Sequence, residues 1–133
     1  MIEKINHIGI AVNSIEDAAR LYTEVLGLKL SKIEVLEDRK VKLAMIPVGE
    51  SKVELLESTD PEGAIAKHIE SKGEGLHHVA FEVSNIQAAL EALTKRGIAL
   101  IDEKPGIGAG GDKIAFLHPK GTKVLIELVE SKK

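Results

Sequence analysis

Apolar positions recur along the chain with the periods of strands and helices, and the same order of periods occurs twice. Ile5–Ile15 and Leu76–Ile86 each predict a strand that leads through Ser or Asn into an amphipathic helix. Apolar residues three and four positions apart give each helix one stripe to bury. The predicted helices cover residues 15–26, with Ser14 as the N-cap, and 86–96, and Gly27 and Gly97 end them.

Three strand-like runs follow each helix: 29–36, 41–47 and 51–57 in the first half, and 99–103, 113–118 and 122–129 in the second. Each half therefore has the order β-α-β-β-β. A connector helix is predicted between them, with Asp60 as its cap and Pro61 at its first position. We take 1–57 and 76–133 as modules and 58–75 as the connector. Because so small a module buries too little surface alone, we expect one shared core and a single domain, 1–133.

Side chains on a strand alternate between its two faces, so each first strand has a helix side and an opposite side. On the opposite side of the first strand lie His7, Gly9 and Ala11, and on that of its repeat lie His78, Ala80 and Glu82. The last strands of the two modules carry Glu54 and Glu127 at equivalent places. Symmetry therefore predicts that two His and two Glu converge over a floor of small residues.

Two imidazoles and two carboxylates suit a divalent transition metal such as Zn, Co, Ni or Fe, which would act as a Lewis acid. A lone His or Glu on a strand is usually solvated or satisfied by a hydrogen bond. The recurrence of His7 as His78 and of Glu54 as Glu127 favours the metal interpretation. We expect His68 to be exposed on the connector helix and His77 to lie at the edge of the site.

Composition narrows the function further. The chain has 133 residues, a net charge of −3 and 2% aromatic residues, so neither a basic face nor stacking rings favour nucleic acid. No apolar run is long enough to span a membrane, and the N-terminus does not resemble a signal peptide. The chain has no Cys, which excludes disulfides, a thiol nucleophile and thiolate metal ligands. We expect a cytoplasmic protein.

The duplicated β-α-β-β-β pattern with His on each first strand resembles the vicinal oxygen chelate superfamily over essentially the whole chain. Several segments are more specifically similar to its methylmalonyl-CoA epimerase family: 7–12, 75–81 and the two runs of the tail, 108–120 and 124–128. The resemblance implies an α+β fold in which two tandem βαβββ modules form a curled eight-stranded mixed sheet with helices on the outer face.

The resemblance also implies a metal held by His7, Glu54, His78 and Glu127. Co²⁺ is the first choice, with Zn²⁺, Ni²⁺ or Mn²⁺ as alternatives, and some relatives have Gln where this chain has Glu54. The implied reaction interconverts (2R)- and (2S)-methylmalonyl-CoA through an enolate, with Glu127 as a catalytic acid/base. Family proteins commonly form homodimers. The resemblance implies substrate contacts for four residues of the tail: Gly110, Gly111, Lys113 and His118.

Two alternatives stay open on the same scaffold: a lactoylglutathione lyase of the glyoxalase I type, and a non-enzymatic protein that binds a small ligand. The second acid/base group is also open. Some epimerases carry a Glu at the position of Leu43, and Leu cannot exchange protons. Glu34, Glu37 or a metal-bound water could replace it. The glycine-rich stretch 106–111 is either a loop over the substrate or a long hairpin connection.

Overall fold

A computed structural model of the protein describes residues 1–132. The strands are β1 (Ile2–Ala11), β2 (Lys32–Leu36), β3 (Val41–Val48), β4 (Ser51–Ser58), β5 (Gly75–Val83), β6 (Gly106–Ile107), β7 (Lys113–Leu117) and β8 (Leu125–Glu130). The helices are α1 (Ile15–Arg20), α2 (Ala64–Lys72), α3 (Ile86–Lys95) and α4 (Pro119–Thr122). No helix within residues 1–132 has the length and apolar character that crossing a bilayer requires.

The strands form an eight-stranded sheet in the order β2-β3-β4-β1-β5-β8-β7-β6. The pairs β1–β4 and β5–β8 are parallel, whereas β2–β3, β3–β4, β6–β7 and β7–β8 are antiparallel. The predicted α+β class, the mixed sheet and the duplicated β-α-β-β-β order are therefore confirmed. The chain divides into two compact units: the first unit is His7–His77, and the second unit is Met1–Asn6 with His78–Lys133.

In the first unit, α1 packs on one face of β1, β3 and β4. Its core consists of Val12, Ile15, Ala44, Ile46 and Leu55. The predicted N-cap is confirmed, because Ser14 Oγ accepts a hydrogen bond of 3.2 Å from Asp17 N. The helix continues as a π-helical turn, Leu21–Val25, before Gly27 takes a positive φ of 76°. The predicted helix over 15–26 is thus built from two kinds of turn.

In the second unit, α3 packs in the same way on β5, β7 and β8. The cluster beneath it consists of Val83, Ile86, Ala89, Leu90, Ala115, Leu117 and Leu128. Asn85 Oδ1 caps α3 by accepting from Ala88 N at 3.0 Å, and Gly97 follows the helix with a positive φ of 79°. In both units, therefore, one sheet face is covered by a helix, which leaves the opposite face to carry polar side chains.

Four predicted boundaries are wrong. The strand predicted at 29–36 begins only at Lys32. The connector helix begins at Ala64, because Asp60 Oδ1 accepts from Glu62 N at 2.7 Å and forms a turn ahead of the helix. The strand predicted at 99–103 is reduced to one bridge between Leu100 and Leu117, and β6 lies further along. The last strand begins at Leu125, because Thr122 ends α4 and Lys123 follows it with a positive φ of 71°.

Each unit ties the start of its helix to the end of its last strand. Glu57 Oε1 accepts from Ile15 N at 2.7 Å, and Glu130 Oε1 accepts from Ile86 N at 2.9 Å. A carboxylate at a helix N-terminus satisfies an amide that has no partner within the helix and interacts favourably with the helix dipole. The two glutamates follow Glu54 and Glu127 at the same spacing in the sequence, but the sequence did not suggest this role.

We expect Glu130→Ala to lower the free energy of unfolding by about 1 kcal/mol, the usual cost of losing a helix cap. The measurement is urea unfolding followed by circular dichroism. The matched control is Glu103→Ala, which removes an exposed carboxylate from the same unit. Equal stability of the two variants would contradict the capping role.

Candidate functional site

The uncovered sheet face of the first unit carries a buried imidazole–carboxylate pair. His7 on β1 and Glu54 on β4 are each 5% exposed, and Nε2 of the histidine lies 3.3 Å from Oε1 of the glutamate. The parallel register places Gly9 directly opposite Glu54 and Lys52 opposite His7. The pair is therefore diagonal, and the absence of a side chain on Gly9 leaves room for Glu54 to reach the ring.

The second unit repeats this pair. His78 on β5 is 3% exposed, Glu127 on β8 is 5% exposed, and Nε2 lies 3.0 Å from Oε1. The register is equivalent, with Ala80 opposite Glu127 and Leu125 opposite His78. The structure thus brings a first-strand His and a last-strand Glu together within each unit, and it gives both pairs the same diagonal geometry.

The donor atoms of these pairs match the chemistry of a divalent metal site. Neutral imidazole nitrogen and carboxylate oxygen are the ligands that Zn²⁺, Co²⁺ and Ni²⁺ accept. Burial of the side chains would limit competition from bulk water. Among the described residues, His7, Glu54 and His78 are buried groups able to hold such an ion, and Glu127 offers a carboxylate of the same kind. The residues present therefore fit the implied cofactor.

Phe116 is a contact that the sequence analysis missed. It lies opposite Glu127 in the β7–β8 register, and its ring meets the His78 ring edge-on at a centroid distance of 5.8 Å and an angle of 86°. Edge-to-face packing of this kind holds a ring in one orientation. Phe116 therefore orients the His78 imidazole. Aromatic residues make up only 2% of the sequence, and this scarcity was the signal that could have drawn attention to Phe116.

Glu82 on β5, which the sequence placed on the face of His78 without giving it a role, is a hydrogen-bonded carboxylate. Glu82 shares the sheet face of His78 and Ala80 by strand alternation. Its Oε1 accepts from Asn6 Nδ2 at 2.8 Å and from Ser131 Oγ at 2.9 Å. Asn6 is only 3% exposed, so this contact satisfies a buried amide. Glu82 has a clear structural task within the second unit.

The predicted substrate-contact residues lie in and around β7. Gly110 and Gly111 form a tight turn just before the strand, with positive φ values of 67° and 85° that favour glycine. Lys113 shares the face of Ala115, which packs under α3, and its Nζ lies 3.8 Å from Glu130 Oε2. This is the face opposite Glu127. His118 is exposed at the start of α4, where its Nδ1 accepts from Lys120 N at 3.2 Å. The substrate contacts of all four residues remain predictions.

The two remaining histidines pack on each other. The rings of His68 on α2 and His77 on β5 meet edge-on at 4.8 Å. His68 is half-buried, so the expectation of an exposed residue is wrong. Burial, and then the neighbouring Lys72 ammonium, lower the pKa of His68 below its usual value, because both disfavour the charged imidazolium.

Comparison with known proteins identifies the family. Residues 6–116 match the family model described as the glyoxalase/bleomycin resistance protein/dioxygenase superfamily. The match contains His7, Glu54 and His78 and covers most of the chain. The chain belongs to this superfamily. The expected superfamily is thereby confirmed.

Superfamily members that resemble this chain include epimerases. Human mitochondrial methylmalonyl-CoA epimerase is 37% identical over 96% of this chain and 74% of its own length. A solved methylmalonyl-CoA epimerase in complex with methylmalonyl-CoA and NH4+ has a TM-score of 0.95 at 33% identity, covering 98% of this chain and 96% of that one. The uncharacterized protein YqjC of Bacillus subtilis is 42% identical over 98% of this chain and 94% of its own length. The resemblance thus extends to epimerases along almost the full sequence.

We expect the protein to bind a divalent metal ion through the buried His and Glu side chains, with His78→Ala abolishing that binding. Equilibrium dialysis against Co²⁺ at neutral pH, with metal analysis of the protein, measures it. Binding should weaken towards about pH 5, because imidazole must be neutral to ligate. His118→Ala is the control and should bind normally. Equal uptake by His78→Ala and the unaltered protein would contradict the assignment.

Proposed function

We propose that the protein is a metal-dependent epimerase that interconverts (2R)- and (2S)-methylmalonyl-CoA. One observation carries the proposal. A buried His–Glu pair occurs in the same register in both units of a chain that is similar to methylmalonyl-CoA epimerases over almost its full length. The CoA thioester as substrate comes from those relatives, one of which is described in complex with methylmalonyl-CoA.

The reaction needs a proton removed from a carbon between a thioester carbonyl and a carboxylate. The product of removal is an enolate, and inversion follows when a proton returns to the opposite side of the carbon. We propose Glu127 as one acid/base group, because it is a carboxylate beside His78. Removing one proton and returning another leaves the substrate's composition and charge unchanged.

We propose His7, Glu54, His78 and Glu127 as the ligands of the metal, with Co²⁺ as the first candidate and Zn²⁺, Ni²⁺ or Mn²⁺ as alternatives. When bound, a divalent ion would supply positive charge where negative charge develops on the substrate oxygens. The protein's own part is to hold the donor atoms in place. The Phe116 ring orients His78 for this task, and Gly9 leaves space for Glu54.

We propose that the turn formed by Gly110 and Gly111 contacts the substrate, with Lys113 and His118 near its CoA part. Support for the turn comes from its left-handed backbone, which presents peptide groups without a side chain in the way. Lys113 lies on the face away from Glu127, so its proposed partner is a distant phosphate of CoA rather than the reacting carbon.

We expect Glu127→Gln to lose epimerisation and the exchange of the α-proton with solvent, because the amide neither accepts that proton nor serves as an anionic ligand. Proton NMR in D₂O with each pure epimer measures both processes in the presence of Co²⁺. Glu91→Gln, an exposed change on α3, should retain both. Near-normal exchange by Glu127→Gln would rule out the role of Glu127, and inactivity of the unaltered protein would rule out the epimerase function.

We also propose that the working form is a homodimer in the cytoplasm. Apolar side chains on β1 and β5 support association, since Ile2, Ile8 and Leu76 are 53%, 37% and 53% exposed. The cytoplasmic location rests on the composition alone. We expect light scattering coupled to size-exclusion chromatography to give twice the 14.3 kDa mass of the chain. A mass of one chain at micromolar concentration would contradict the dimer.

A further inference from the structure

Epimerisation by proton transfer needs a second group, because a proton removed from one side of the carbon must be matched by one delivered to the other. At the position where some epimerases carry Glu, this chain has Leu43. The structure places Leu43 on β3 at 1% exposure, opposite Leu56 on β4. An apolar side chain is fixed there, so the second proton carrier must come from another position.

The sheet register of the first unit places a carboxylate directly beside Leu43. Glu34 on β2 is its cross-strand partner. Because Leu43 pairs with Leu56 and Leu56 with Ala11, these four residues form one row across the sheet. Alternation along β1 and β4 puts His7 and Glu54 on the same face as this row. Glu34 therefore lies on the face that carries the proposed metal ligands of this unit.

The separation is short enough for Glu34 to take over the task of the missing carboxylate. Cβ atoms of residues directly opposite in an antiparallel pair are about 5 Å apart. A Glu side chain covers most of that separation, and the Leu43 side chain is apolar and offers no competing hydrogen bond. The Glu34 carboxyl group can thus occupy space over Leu43 while its backbone remains one strand away.

Lys32 controls the direction of the Glu34 carboxylate. It lies two residues earlier on β2, on the same face, and its Nζ is 3.2 Å from Glu34 Oε1. The Glu34 side chain is 24% exposed, whereas that of Lys32 is 51% exposed. The ammonium thus pairs with one oxygen of the carboxylate. The carboxylate remains accessible to a substrate without being loose on the surface.

The other carboxylates considered for this role fit less well. Glu37 begins a 3-10 turn after β2 and is exposed, so it lies beyond the end of the strand. Glu82 lies on the corresponding face of the second unit, but one of its oxygens accepts from both Asn6 and Ser131. A carboxylate so held is committed to structure.

We infer that Glu34 is the second acid/base residue of this protein, taking the place of the Glu that Leu43 replaces. The inference rests on the proposed epimerase function. In one direction the Glu34 carboxylate takes the α-proton, the C–H electron pair passes into the enolate, and protonated Glu127 delivers a proton to the opposite side. In the other direction the two glutamates exchange tasks. After each turnover the proton has moved from one glutamate to the other, and exchange with water restores the starting state.

The test is Glu34→Gln, which keeps the size of the side chain and removes its ability to carry a proton. Each pure epimer of methylmalonyl-CoA is incubated in D₂O with the Co²⁺-loaded protein and followed by proton NMR. We expect inversion to fall on the order of 100-fold. The epimer whose α-proton faces Glu127 should still exchange that proton for deuterium without inverting. Glu37→Gln is the matched control and should invert normally.

The outcomes separate the inference from the function on which it rests. Inversion by Glu34→Gln at the rate of the unaltered protein overturns the role of Glu34 and leaves the epimerase function standing. Loss of exchange for both epimers, with normal circular dichroism and Co²⁺ content, also overturns it, because one proton carrier should survive. If the unaltered protein neither inverts nor exchanges either epimer, the proposed function fails, and the inference fails with it.

Discussion

A buried carboxylate needs a polar partner, and this requirement organises both units. Glu54 and Glu127 lie on interior strands at 5% exposure, where an unpartnered charge would be strongly unfavourable. Each meets an imidazole on the neighbouring parallel strand. That contact is possible only in one register, because a slip of one residue would turn the carboxylate towards the helix. This contact therefore requires a fixed strand pairing and a small residue opposite each Glu. It also requires that the helix pack on the other face.

The same constraint explains why so much was predictable. The His on each first strand, the Glu on each last strand and the alternation of faces are periodic features, and a repeated pattern constrains them twice. The diagonal from His7 to Glu54 was not predictable in detail, because it depends on the register between strands that are far apart in sequence. The edge-on contact of Phe116 with His78 was missed for the same reason, since it depends on the β7–β8 pairing, which joins strands on either side of α4.

Local chemistry decided the errors. Asp is a residue type that commonly caps helices. The Asp60 carboxylate instead accepts from Glu62 N in a turn, and Gly63 is the residue that precedes the helix. The chain after α3 has apolar residues at strand spacing, yet Leu100 makes a single bridge with Leu117. In both places the sequence contained a valid local signal, and a competing hydrogen bond or pairing partner in the folded chain decided the outcome. For Glu57 and Glu130 the sequence contained no local signal. Their capping role depends on the folded chain bringing the end of a strand next to the start of a helix.

The position of Leu43 bears on where the inferred second acid/base group lies, because Glu127 is proposed both as a metal ligand and as the first acid/base group. The proposed metal ligands depend on a fixed strand register and buried partners. The proton carriers need only reach the open face, so a carboxylate on the adjacent strand can serve. Within the first unit, Glu34, Leu43, Leu56 and Ala11 form one row across the sheet, so Glu34 and Leu43 lie side by side on that face.

The division of β1 between the two units affects the order in which the units can fold during synthesis. The first unit, His7–His77, is one continuous stretch, so all of its contacts are available once that stretch has been synthesised. The second unit requires Met1–Asn6 to join His78–Lys133, which follows much later in the sequence. Contacts of such long sequence separation form slowly, and N-terminal parts of a chain fold first during translation. The residues of β1 that belong to the second unit must therefore wait until the rest of that unit has been synthesised.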